Sequence, residues 1–338
     1  MANTPIVHSP SSILHSRPLF LAGPTAVGKS EIALLLAEQI GGEIISVDSM
    51  QVYRGLDIGT AKPSAEERAR VRHHLIDVVN LTEPFDAAQF VRLANTAVAE
   101  IQSRGRVPIF CGGTGLYFKA FLEGLGDAPA ADEKLRTELE AVPLSELLTE
   151  LAEKDSVTYE KIDRNNPRRV IRAIEVIRLT GKKFSEQRAE WRSPLGAPAS
   201  RWQVAELAGE TPALPGIRDS RMIGFSRSSA DLRARIDARV DAMFARGLVE
   251  ETRLLLDQGL AQNKTAMQAL GYRQVTEHLR GEHSLPETIE LVKIKTRQFA
   301  KRQMTWFRRH GNCEWIELKR NDSAESIATR LFQHQNPL

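Results

Sequence analysis

The chain has 338 residues, 42% of them hydrophobic and 26% charged, with a formal net charge of +3. That length suits one large or two modest domains with a sizeable core, and the composition is that of an ordinary globular protein. No run approaches the roughly eighteen apolar residues of a membrane span. Two cysteines, Cys111 and Cys313, cannot build a disulfide framework or an all-cysteine zinc site. No membrane partner is expected, and a cytoplasmic location is.

Residues 1–17 are polar, with no apolar segment of the signal-peptide kind, and read as a flexible tail. Leu19–Ala22 is a short apolar strand. It runs into Gly23, Pro24, Thr25, Ala26, Val27, Gly28, Lys29 and Ser30, the pattern G-x-x-x-x-G-K-S, and a helical run follows to Ile40, where Gly41 ends it. Strand, glycine-rich loop and helix in that order form a phosphate-binding loop. Its N–H groups and the helix N-terminus favour an anion, Lys29 adds a cation, and the Ser30 hydroxyl suits Mg²⁺. The expected ligand carries a diphosphate or polyphosphate; the loop alone does not say whether it is a nucleotide.

A second strand, Glu43–Val47, ends at Asp48. A carboxylate there can hold Mg²⁺ through water, take a proton from an acceptor nucleophile, or cap the following turn. The stretch from Asp48 to Pro63 is a long loop with two glycines and no room for a simple helix. Phe90, Leu93, Ala97 and Ile101 recur at spacings of three and four, so 87–103 is helical. Val107–Cys111 is another buried strand, followed by Gly112, Gly113 and Thr114. Two glycines there let the backbone approach a ligand. Thr114 either faces the ligand or caps the next helix, and both roles are compatible. No acid follows this strand, which argues against an ATP-hydrolysing machine. The alternation predicts a P-loop NTPase-like α/β fold, a parallel sheet flanked by helices, with ligands at the carboxyl ends of its strands.

Beyond Gly126 the strand signal stops. Residues 128–195 read as an inserted all-helical subdomain that divides a discontinuous core, 18–127 and 196–320, with 321–338 as a C-terminal tail. Ser193 to Asp219 looks like an irregular linker. Helices resume at Ser229, and a last long one spans about Pro286 to Arg309. Charge is unevenly spread: Asp127 to Asp163 holds eleven acidic residues against four basic, Arg164 to Arg192 nine basic against three acidic. Lys293 to Arg309 holds seven basic residues and no acid. Two basic stretches in a nearly neutral chain favour a nucleic acid over simple solvated faces. In the first, Arg168 and Arg172 lie at i and i+4 with Arg169 beside them. In the second, Phe299, Trp306 and Phe307 interleave with the bases, at a spacing that favours core packing over base stacking, with Lys301 and Arg302 outward.

These motifs occur in the order seen in bacterial tRNA dimethylallyltransferases. The P-loop, the Asp48–Pro63 loop, Gly112–Gly124, Asn166–Glu175, Gly271–Gln274 and Ala300–Phe307 carry the resemblance, which spans roughly residues 18 to 320. It implies that Lys29, Ser30 and Mg²⁺ hold dimethylallyl diphosphate. Asp48 would be the general base for the N6 amine of adenosine 37, and Thr114 would bond the bridging diphosphate oxygen. Arg235, rather than Arg239, is chosen as a further diphosphate contact. The partner implied is the tRNA anticodon stem-loop, met by Asp48, Ser49, Met50, Gln51, Arg136, Arg168, Arg169, Arg172, Gly271, Tyr272 and Arg273, and the enzyme is expected to be a monomer. An adenylate isopentenyltransferase acting on free AMP or ATP and a P-loop small-molecule kinase remain as alternatives. The insertion and the basic last helix speak against the first, and the Asp48–Pro63 loop against the second. An RNA-binding protein that merely senses nucleotide leaves Asp48 and Thr114 without roles.

Overall fold

The computed structural model describes residues 17–124, 129, 131–189 and 222–335. The chain runs β1 (Leu19–Ala22), α1 (Lys29–Ile40), β2 (Gly42–Val47), α2 (Ala65–Arg70), β3 (His73–His74), α3 (Ala87–Ser103), β4 (Val107–Gly112) and α4 (Gly115–Glu123). Helices α5 (Glu133–Glu140), α6 (Leu144–Lys154), α7 (Ser156–Lys161), α8 (Pro167–Thr180) and α9 (Phe184–Ala189) follow. Then come β5 (Met222–Ser226), α10 (Ser229–Ala245), α11 (Leu248–Asp257), α12 (Tyr272–Leu279), α13 (Leu285–His310), β6 (Cys313–Glu317) and α14 (Ala324–Gln335). Two compact units result: Met1–Leu122 with Ala213–Leu338, and Glu123–Pro212. The boundaries expected at 127/128 and 195/196, the Ser193–Asp219 linker and residues 1–16 of the expected tail lie outside the described residues.

The first unit holds a six-stranded sheet in the order β3-β2-β4-β1-β5-β6, parallel throughout. Parallel strands covered on both faces are apolar without interruption, and β1 is buried along its whole length. Alternation divides its side chains between two layers. Leu19 and Leu21 join Val27, Leu36, Ile109 and Phe225 on one face. Phe20, on the other, stacks on Phe110 at 4.8 Å and meets Phe118 and Phe121. Phe118 in turn meets Phe307 of α13 edge-on, so the aromatic layer ties the last long helix to the central strand. Phe20→Ala should therefore cost about 3–5 kcal/mol of stability, the range for deleting a buried aromatic ring. Urea unfolding of the full chain measures it, and a loss below about 1 kcal/mol would mean the layer repacks.

The end of the chain departs from the expected tail. Residues 324–335 form α14, which packs on α1 and buries Ile327, Ala328 and Leu331 in the main core. The pair Ile327 and Leu331 at i, i+4 is a narrow apolar stripe in a polar stretch, easily read as loop. The strands β5 and β6 are not anticipated from the sequence: β5 follows closely on the Ser193–Asp219 stretch read as linker, and β6 carries two exposed glutamates, Glu314 and Glu317. The long helix is delimited by local chemistry: Ser284 and Glu287 make a reciprocal capping box at the start of α13.

The second unit is helical among its described residues. Val170, Ala173, Ile174 and Ile177 of α8 pack against Leu139, Leu147 and Leu151. Asn166 caps α8, Pro167 opens it as expected, and Gly181 ends it in the left-handed conformation.

Candidate active site

The glycine-rich loop from Gly23 to Ser30 joins β1 to α1 as its sequence requires. Gly28 has φ 108°, a value that favours glycine, and it precedes α1 without a side-chain cap. No side chain caps α1, so its first-turn N–H groups are open to a ligand, and a helix N-terminus favours an anion. Two arginines fasten the loop from outside. Arg227 donates Nε–H to the Val27 carbonyl at 2.7 Å, and Arg235 donates Nε–H to the Ala26 carbonyl at 2.9 Å. Lys29 donates Nζ–H to the Pro24 carbonyl at 3.2 Å.

A cavity of about 430 Å³ lies beside the loop. Lys29, Ser30, Asp48, Thr114 and Arg239 all line it. Asp48, at the end of β2, accepts the Met50 and Gln51 N–H groups on Oδ1 at 2.8 and 3.2 Å. The turn-capping role is thus observed, and it occupies only one oxygen. Oδ2 has no hydrogen-bond partner among the described residues. Thr114 Oγ1 accepts the Ser49 N–H at 3.2 Å, and the Gly113 and Thr114 N–H groups both donate to the Val47 carbonyl. These bonds lock the β4 turn to the Asp48 turn and leave the Thr114 hydroxyl proton available. Gly112 is obligatory in this approach, since a Cβ there would stand 2.1 Å from the Val47 carbonyl oxygen.

Burial lowers the pKa of Lys29, and Arg239 lowers it further by repulsion, while Cys111 and Asp48 oppose the shift. Burial also lowers that of Arg239, with Asp48 opposing. Two cations held below their ordinary proton affinity gain most from an arriving polyanion. Cys111 also lines the cavity; burial pushes its thiol up to about 11, so it is neutral. Among the described residues no group of three or more His, Cys, Asp or Glu side chains could hold a metal ion. The Ser30 hydroxyl and the free oxygen of Asp48 are hard donors suited to Mg²⁺ that keeps most of its waters and phosphate oxygens.

Several residues named from the sequence do other work. Arg235 donates to the loop backbone and also lines, with Lys29, Ser30 and Arg239, a second cavity of about 600 Å³ against the first turn of α1; Arg239, one turn later on α10, lines both cavities. Gln51 lines the cavity, but its amide accepts from Ser46 Oγ and donates to the Thr60 and Ala61 carbonyls, so that side chain is spent on the loop. Tyr272 is fully buried. Its hydroxyl donates to Glu251 at 2.6 Å and accepts the Gly59 N–H at 3.1 Å, which rules out an outward side-chain contact. Gly271 is buried too, and only Arg273 of that trio is exposed, paired with Glu277. Glu251 also accepts the Ile58 N–H, which makes it the anchor of the Asp48–Pro63 loop. Ser49 and Met50 line the cavity as expected.

Within the helical unit, Arg136 and Arg172 converge on Glu175, a carboxylate with no solvent exposure. Arg172 also donates to the Pro129 carbonyl. Both guanidiniums are thereby committed to the unit's own structure, although each keeps part of its surface exposed. Arg168 and Arg169 lie exposed on the first turn of α8. On α13, Phe307 is buried, Phe299 lines the cavity, and Lys301 and Arg302 are exposed.

A parallel sheet with a glycine-rich loop after β1 and an acid after β2 defines an α/β protein whose candidate site lies at the carboxyl ends of the strands. Residues 51–310 match the family model described as IPP transferase, and the chain belongs to that family. A tRNA dimethylallyltransferase 1 from Trichlorobacter lovleyi is 43% identical over 320 residues, 94% of this chain and 98% of the relative. The full-length tRNA isopentenylpyrophosphate transferase of Bacillus halodurans is similar in structure, with TM-score 0.64 and 38% identity over 94% of this chain and 96% of that one. A eukaryotic dimethylallyltransferase acting on tRNA gives TM-score 0.73 at 26% identity, covering 96% of this chain and 81% of that one. No helix among the described residues is long and apolar enough to cross a membrane.

Proposed function

We infer that the chain transfers a dimethylallyl group from dimethylallyl diphosphate to the N6 amine of adenosine 37 in the tRNA anticodon loop, releasing diphosphate. The observation that carries the reading is the convergence of Lys29, Asp48 and Thr114 on one cavity, in a chain of this family. The N6 nitrogen attacks the first carbon of the allyl chain as the bond from that carbon to the diphosphate oxygen breaks. The proton leaves N6 for the free oxygen of Asp48, and the electron pair leaves with diphosphate. An exocyclic amine is a weak nucleophile, so a carboxylate within hydrogen-bond reach assists as charge develops on nitrogen. The Thr114 hydroxyl, the loop amides, Lys29 and Arg239 stabilise the charge that accumulates on the leaving group. Mg²⁺, bound through Ser30, would neutralise phosphate oxygens.

The target base must leave the stack to enter the cavity, and Ser49 and Met50 lie on its wall. Arg168, Arg169 and Arg273 are exposed and would help hold the RNA backbone, Arg273 at the expense of its pairing with Glu277. Free adenylate is the less favoured acceptor, because the relatives that span this chain are named as tRNA enzymes.

Labelled dimethylallyl diphosphate and Mg²⁺, offered with unmodified tRNA and with AMP in parallel reactions, test the reading. Label is expected on tRNA alone. Label on AMP would make the acceptor a free nucleotide, and label on neither would remove prenyl transfer.

A further inference from the structure

Gln303, on α13, sits where the two halves of the cavity wall meet. Its side chain is buried, and its two ends serve different segments. Oε1 accepts the Thr25 N–H of the phosphate-binding loop at 2.9 Å, and Nε2 donates to the Gly113 carbonyl at 2.9 Å. The segments joined are 278 and 190 residues away in sequence. One of them carries the amides and Lys29; the other carries Thr114. Gly113 leaves no slack, since a Cβ there would stand 2.2 Å from the Gln303 amide nitrogen.

The chemistry of the clamp is selective. One backbone partner offers a proton and the other a lone pair. A primary amide presents an acceptor and a donor on one rigid plane, with no charge to desolvate. A glutamate of the same shape keeps the acceptor but sets lone pair against lone pair at Gly113 unless it is protonated. A leucine fills the space and leaves a buried N–H and a buried carbonyl unpaired.

We propose that Gln303 is a positioning residue of the transfer reaction: it sets the separation between the diphosphate-gripping loop and Thr114, and so aligns the Thr114 hydroxyl with the leaving oxygen. The proposal rests on the prenyl-transfer reading above. Hydrogen bonds to developing charge are sensitive to placement, and a displacement of about 1 Å can cost on the order of 10²-fold in rate. The helix that carries Gln303 also exposes Lys301 and Arg302. Movement of α13 when a polyanion meets that face would therefore be felt at Thr114.

The test is a double-mutant cycle with a titratable isostere. Gln303→Leu should lower single-turnover transfer to tRNA by about 10- to 100-fold, with little change in the KM for tRNA. In a Thr114→Ala background the same change should cost much less, because the hydroxyl it aligns is already gone. Gln303→Glu should give a turnover, relative to wild type, that rises as pH falls, since only the protonated acid restores a donor to Gly113. The charged groups lining the same cavity are Asp48, Lys29, Arg239 and Arg302, and taking the ratio to wild type at each pH removes their own titration. Thermal unfolding of each variant reports any loss that is merely structural; a Tm drop with unchanged transfer by the folded fraction would overturn the proposal. So would additive losses in the cycle, a flat pH ratio, or a raised KM for tRNA at unchanged kcat, which would make Gln303 an RNA contact. A wild type that transfers no label sinks the functional reading itself, whereas a wild type that turns over with additive losses sinks only this proposal.

Discussion

Asp48→Asn is expected to lower the rate of transfer by about 10²–10⁴-fold, the usual contribution of a positioned base. Asparagine is the informative replacement because Oδ1 has a second duty. It accepts the Met50 and Gln51 N–H groups, and the amide oxygen of asparagine can keep both bonds. The loop that carries Ser49 and Met50 should then stay in place, and what disappears is the basicity of the other oxygen. Alanine would remove the turn as well and mix the two effects. Single-turnover quench measurements with labelled dimethylallyl diphosphate give the rate, and filter binding gives the tRNA affinity, expected to change little. Activity within a fewfold of wild type would show that the proton leaves by another route.

Lys29→Met should weaken diphosphate binding by about 10- to 100-fold, since hydrogen bonds to charged groups contribute about 1.5–3 kcal/mol. The pH dependence is the sharper readout. Burial lowers the lysine pKa in the free protein, and a bound diphosphate raises it. Binding therefore takes up a proton between those two values. Affinity should be flat below the free-state pKa and fall as pH rises through it, at a lower pH than an ordinary lysine would dictate. The methionine variant should lack this decline. Calorimetry in buffers of different ionisation enthalpy measures the proton uptake directly, and an equal uptake by wild type and variant would assign the titration elsewhere. Arg239 is the other cation at that wall with a lowered pKa, and its guanidinium stays charged throughout the working range.

The parts of this site legible without coordinates are those made by neighbours in sequence. A G-x-x-x-x-G-K-S loop between a strand and a helix carries its own geometry, because its amides, lysine and serine lie within eight residues. Asp48 and Thr114 were legible for a related reason: each follows a buried parallel strand, and such strands end at a common rim. Spacing could not separate Arg235 from Arg239. They stand at i and i+4 on one helix face and both line a cavity at the loop; only the way α10 packs gives Arg235 a backbone carbonyl as well and brings Arg239 to Asp48 and Thr114. The resemblance implies a tRNA contact for Tyr272, yet its side chain is turned inward to Glu251. Arg136 and Arg172 are expected to meet tRNA, yet each is claimed by Glu175, which is 39 and 3 residues away.

By itself the sequence determined the glycine-rich loop between β1 and α1, the acid and threonine at the rim, the parallel α/β core and the helical insertion, because each follows from local spacing and periodic burial. The tertiary structure alone decided that Arg239 reaches the cavity of Asp48 and Thr114, that residues 324–335 form a helix of the core, and that Gln303 joins the loop to the Thr114 turn. A hydrogen bond is set by where two atoms stand in space, and segments hundreds of residues apart carry no spacing from which that position can be read.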